Sequence, residues 1–143
     1  MPANFNPIFT VSPDLSDDLT TGWGGPITLA SNDYTGASAN YTLVHTAGTN
    51  GSYVKKLRVK ALGTNAAGVL RIFINNGATN TTATNNTFYG ELSLPITSAT
   101  TASATVDLEY PMDIQLNPGF KIYVGTPVAP TTGWVVTAVA GQY

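Results

Sequence analysis

Residues 53–77 read YVKKLRVKALGTNAAGVLRIFINNG, and apolar and polar positions alternate through both halves of this run. Leu57, Val59 and Ala61 fall on one side of an extended chain, with Lys56, Arg58 and Lys60 on the other. A period of two predicts a half-buried strand. Leu62-Gly63-Thr64-Asn65 interrupts it with turn formers. Residues 69–75 resume the alternation, which predicts Leu70, Ile72 and Ile74 inward and Val69, Arg71 and Phe73 outward. Asn76-Gly77 tolerates positive φ and closes the pair. Dense β-branching without a 3.6-residue stripe argues against a helix.

The same reading extends to both sides. Strands are predicted at 27–30, 41–46, 88–94, 105–110, 114–116, 120–124 and 134–140, separated by Gly, Pro and Asn turns. In 88–94, Phe88, Leu92 and Leu94 are expected inward, and Tyr89, Glu91 and Ser93 outward. Pro111 is expected to stop one strand. Asn117-Pro118-Gly119 has the order of a type II turn. Residues 78–86, ATNTTATNN, are too polar to bury a core and predict an exposed, mobile loop. The last strand is apolar on both faces, as expected in a sandwich core or at a subunit contact. About eight antiparallel strands and no long helix predict an all-β, single-domain, jelly-roll-like β-sandwich over residues 21–143.

Residues 1–20 are expected as an extended N-terminal arm, with Ile8, Phe9 and Val11 anchored to a neighbour; an ordered first strand is the equal alternative. Within the acidic run, residues 14–18 are expected as one helical turn capped by Ser12 or Asp14. The spacing of Asp14, Asp17 and Asp18 matches no defined calcium loop.

Composition narrows the function. The 143 residues are 43% hydrophobic and only 10% charged, and threonine outnumbers even the 14 glycines. Such low charge predicts that much of the surface is covered by other chains. With no cysteine, thiol chemistry and disulfides are excluded. MPANFNPIFT lacks the features of a signal peptide, no window is apolar enough for a membrane span, and folding in a host cytoplasm is expected. The net charge of −2 does not favour a specific nucleic-acid partner.

Candidate chemistry is sparse, and no enzyme, cofactor or metal site is expected. His45 is the only histidine and has no nucleophile context. Glu91, Asp107 and Glu109 would supply carboxylates for glycoside hydrolysis, but their outward strand positions read as surface charge. Sequons at Asn40, Asn50, Asn80 and Asn85 are expected by chance in a chain rich in Asn and Thr. The clearest charged feature is the stripe Lys56, Arg58 and Lys60 with Arg71 on the paired strand. Like charges side by side need compensation. Glu91, Asp107 and Glu109 are the available partners, within the chain or across subunits. An acidic capsid surface or a nucleic-acid backbone remains the alternative. Trp23, Tyr34, Tyr41, Tyr89, Tyr123, Trp134 and Tyr143 offer a glycan-stacking platform as a further alternative.

YVKKLRVKALGTNAAGVLRIFINNG, then FYGELSLP, then DLEYPMDIQLNPGFKIYVGTP and GWVVTAVAGQY, together resemble small jelly-roll decoration or cement proteins of tailed bacteriophage heads. The resemblance spans roughly residues 51–143. It implies a virion protein on the capsid surface, a homotrimer bound to the major capsid protein that bridges capsomers. A tail, baseplate or fibre module binding a host receptor or glycan is the alternative. The expected interface comprises Ile8, Phe9, Val11, Lys56, Arg58, Lys60, Arg71, Phe73, Trp134 and Tyr143.

Overall fold

The structure, a computed structural model, describes residues 26–143 and the backbone of residues 12–15. Among the described residues eight strands are present: β1 (Ser12–Leu15), β2 (Thr42–Thr46), β3 (Ser52–Ala61), β4 (Gly68–Asn75), β5 (Asn86–Leu94), β6 (Asp107–Leu116), β7 (Lys121–Gly125) and β8 (Trp134–Gln142). They form two antiparallel four-stranded sheets, ordered β1-β8-β3-β6 and β2-β7-β4-β5. The first strand pairs with the last, the second with the seventh, the third with the sixth and the fourth with the fifth. This is a long hairpin, bent at the β4–β5 connection and rolled up, which is the winding of a jelly roll.

The inner faces supply the core. Val54, Leu57, Val59, Val136 and Ala138 from one sheet meet Val44, Leu70, Ile72, Ile122 and Val124 from the other. These are the alternating apolar positions of the sequence. The alternation in β3 survives the adjacent Lys55 and Lys56 because a bulge between Val54 and Lys56 absorbs the extra residue. Trp134, expected in a core or at a subunit contact, is 1% exposed and lies in this core.

Several expectations are corrected. Residues 12–15 are an edge strand on β8, with Leu15 opposite Val139, and not part of a helical turn. Ile8, Phe9, Val11, Asp17, Asp18 and Trp23 lie outside the described residues. The expected strand at 27–30 is reduced to two bridges, Ile27 to Trp134 and Ala30 to Thr126. Pro111 does not stop a strand: β6 runs through it opposite Lys56. As β6 is an edge strand, a missing N–H need cost no ladder hydrogen bond there. Residues 75–86 are laced by asparagine amides, among them Asn86 Nδ2 to Asn80 O and Asn80 Nδ2 to Ser38 O.

The largest correction concerns β4. Arg71 and Phe73, expected to face outward, are 5% and 0% exposed. Leu70 and Ile72 face the other sheet, and residues 31–41 cross over the opposite face. Tyr41 packs on Phe73 with ring centroids 4.7 Å apart. Gly36 lies flat against the same ring. It has φ +71°, and a Cβ there would come within 2.9 Å of Phe73. In β5 the register shifts, so that Ile72 faces Gly90 but Phe73 faces Phe88. Tyr89 is the extra residue, and Phe88 turns from the expected inner face to the outer one, where its ring meets Phe73 at 5.4 Å. Phe73 is therefore core and not interface.

One end of the sandwich is closed by a buried asparagine. Asn65 Oδ1 accepts from the N–H groups of Thr132 and Gly133 at 2.9 and 3.0 Å, and from the Thr132 hydroxyl. Its Nδ2 donates to Gly133 O at 3.1 Å. The Thr97 hydroxyl donates to Gly63 O at 2.6 Å. Three loops distant in sequence are thus joined through one side chain and its neighbour. Replacing Asn65 by Ala strands two backbone N–H groups, and we expect a loss of about 2–4 kcal/mol, measured by urea unfolding. A loss below about 1 kcal/mol would show that water or loop movement replaces the network.

Candidate interaction surfaces

The cationic stripe lies on the outer face of the β1-β8-β3-β6 sheet. Arg58 sits directly opposite Glu109, and Lys60 opposite Asp107. The ion pairs form on the diagonal instead. Lys56 Nζ donates to Glu109 Oε1 at 2.5 Å, and Arg58 Nη2 to Asp107 Oδ2 at 2.5 Å. That offset leaves Lys60 at the end of the row, where its ammonium donates to Thr105 O at 2.8 Å. Tyr53 continues the ladder at the other end, its hydroxyl donating to Asp113 Oδ1 at 2.8 Å. Diagonal cross-strand pairs of this kind lie within reach of long side chains. The compensation anticipated from the sequence is therefore present within one chain. A shallow open groove of about 270 Å³ runs beside the stripe, lined by Arg58, Lys60, Asp107, Thr137 and Val139.

Arg71 belongs to a different site. Its Nε donates to Glu91 Oε1 at 3.1 Å, its Nη1 to Asp33 O at 3.1 Å, and its guanidinium lies 3.7 Å from the centroid of Tyr34. Burial works against the charge, but Glu91 and the nearby Tyr34 and Tyr41 hold its pKa above the ordinary value. The guanidinium therefore ties residues 33–34 to the sheet. Asp33 fixes the same segment from the other side. Burial would raise its pKa, but hydrogen bonds from the Thr35 hydroxyl, the Thr35 and Gly36 N–H groups and the Ser31 hydroxyl outweigh it and hold the pKa below the ordinary 3.8.

The other candidates do not converge. Among the aromatics considered for glycan stacking, Tyr41 and Trp134 are buried, while Tyr34 and Tyr89 are exposed. Tyr34 lies edge-on to Phe88, whereas Tyr89 pairs with Tyr110. Tyr143, partly buried, lies at the far end of the sandwich, where its N–H donates to Gly51 O. His45 is buried, with Nε2 2.7 Å from the Ser52 hydroxyl. The carboxylates considered for acid–base work are each engaged with a cation, Glu91 by Arg71, Asp107 by Arg58 and Glu109 by Lys56.

No family model, curated protein or solved structure matches the chain.

The sequence reading passed over a set of exposed aliphatics, Leu29, Leu62, Ile96 and Val128. Each stands alone in a turn-rich segment and breaks no periodicity. Only the topology shows that their connections share one end of the sandwich.

Two predictions separate the ionic sites. Arg58→Ala should change unfolding stability by less than about 1 kcal/mol, because its pair is solvent-exposed. Arg71→Ala should cost about 3 kcal/mol, since it removes a buried anchor. Urea denaturation of both variants checks this. Because the Asp33 pKa is lowered by folding, its stabilising effect is full above the ordinary carboxylate value and is lost as pH falls below it. Asp33→Asn should therefore destabilise at pH 7 by about 1 kcal/mol. The gap to wild type should narrow progressively in unfolding curves below about pH 4.

Proposed function

We propose that the chain is a structural contact protein of a virion: a decoration protein that binds the outside of a tailed-phage head and stabilises it by bridging capsomers. The observation that carries the contact reading is the disposition of charge. Lys56, Arg58 and Arg71 each pair with a carboxylate of the same chain. Among the described residues, Glu91, Asp107 and Glu109 are each spent on such a pair and leave no free acid–base couple. The rest of the described surface is largely threonine, alanine and single aliphatics, with Lys55 among its exposed charges, and is suited to packing against protein. The phage assignment is supported by the strand-and-turn resemblance over residues 51–143. A cement protein acts by mass action, because each contact made only by the assembled shell favours that shell.

The exposed Tyr34 ring, held by Arg71 and Phe88, favours a second reading, a tail or fibre module that touches a host glycan. Co-sedimentation decides between them. Purified protein mixed with heads assembled without it should bind saturably and raise the temperature at which those heads release DNA. Binding to host cells instead, reduced by Tyr34→Ala, would favour the tail module. Binding to neither would overturn both.

A further inference from the structure

The two long free edges of the sandwich lie side by side. Strands β5 and β6, nine and ten residues long, end their sheets, and among the described residues no strand pairs with their outer edges. The other two edge strands, β1 and β2, have four and five residues. An edge strand offers unpaired N–H and C=O groups to any extended chain. A long and regular edge is the best template for such strand addition, whereas a short one is a poor template.

Both long edges are interrupted near their middle. In β5, Gly90 stands opposite Ile72 and Phe88 opposite Phe73, so Tyr89 has no register partner on β4. In β6, Pro111 stands opposite Lys56 and Ile114 opposite Val54, so Met112 and Asp113 together face Lys55. Pro111 has no N–H to give a further strand. Asp113 has φ +50°, the only positive φ outside glycine among the described residues, and the Tyr53 hydroxyl holds its carboxylate at 2.8 Å. A strand laid along β6 would have to follow that left-handed residue, and regular extended backbone does not. The longest regular run left on this flank, residues 90–94, is no longer than β2. The interruption also crosses from one sheet to the other. Tyr89 meets Tyr110 of β6 with ring centroids 6.4 Å apart and planes at 72°. The Tyr110 hydroxyl lies against Gly90, where any Cβ would collide with it. The extra residue of the β5 bulge thus packs on the neighbouring edge.

We infer that this flank is a device against strand addition: the Tyr89 bulge, Pro111 and the left-handed Asp113 keep a second chain from extending either sheet through β5 or β6. Each does so differently. The bulge twists its edge, the proline removes a donor, and Asp113 breaks the extended path. Copies crowded together would otherwise find a template for open-ended pairing. Contacts with other proteins on this side are then made by side chains and loops, not by extension of the sheets. The inference goes beyond the decoration reading and stands whether or not the chain binds a head.

Two changes to the full chain test it. Deletion of Tyr89 makes β5 regular, since Phe88 and Gly90 already stand opposite consecutive residues of β4. Pro111→Val restores an N–H in the middle of β6. Val136→Ala, a truncation in the core of β8, controls for aggregation that follows from lost stability alone. Each protein is held at the same interval below its own melting temperature while thioflavin T fluorescence and the sedimenting fraction are followed. Both edge variants should fold, as judged by circular dichroism and a cooperative melt, and should form thioflavin-positive assemblies several-fold faster than wild type. Val136→Ala should form them no faster than wild type. Edge variants that stay as soluble as wild type overturn the inference, and so does a Val136→Ala chain that assembles as fast as they do. If one edge variant fails to fold, the other carries the test.

Discussion

Strand β4 has no solvent face, and much of this molecule follows from that constraint. Leu70 and Ile72 face the other sheet, which any sandwich provides. Arg71 and Phe73 face away from it and need a second cover. Residues 31–41 supply that cover, and they have to be ordered to do so. A buried guanidinium is tolerable only with its hydrogen bonds met. Glu91 and the carbonyl of Asp33 accept hydrogen bonds from it, and the Tyr34 ring covers its face. The close approach also fixes small residues: Gly36 lies on Phe73, and Gly125 lies under the ring of Tyr41, where a Cβ would come within 2.3 Å.

The opposite sheet carries its charge in another way. Its outer face is open, so Lys56 and Arg58 pair with β6 carboxylates in a diagonal ladder that leaves them partly hydrated. Exposed pairs of this kind add little stability. Their effect is on the character of the surface, because they neutralise a stripe of cations that would otherwise attract polyanions. Among the described residues, charge is thus concentrated on strands β3 and β6, and both ends of the sandwich are left almost without it.

That distribution ties the fold to its proposed work. A catalytic site gathers titratable groups into a cleft and perturbs them. Here Glu91, Asp107 and Glu109 stand on edge strands, and the pKa shifts at Asp33 and Arg71 come from fastening a loop. A jelly roll whose Asp33, Asn65 and Arg71 side chains are satisfied internally can offer ordered loops for contact without distorting itself. The Asn65 network supplies the stiffness such loops need at one end.

Strands β2 to β5, β7 and β8 and the sandwich class were legible in the sequence, because a period of two reports directly which side of a strand is apolar. The partners of the cationic stripe were legible too, since only three carboxylates stood at outward strand positions. What the sequence could not reveal depends on register and on contacts distant along the chain. A bulge at Tyr89 reverses Phe88, and nothing local marks it. Phe73 and Arg71 look outward by periodicity, and only the segment crossing over them makes them interior. Pro111 is tolerated in β6 because that strand lies at an edge, a fact about the sheet and not about the residue. Likewise Leu29, Leu62, Ile96 and Val128 are four unremarkable loop residues until the winding gathers their connections at one end. Local alternation determined which faces are apolar; only the tertiary structure decided which of those faces water still reaches.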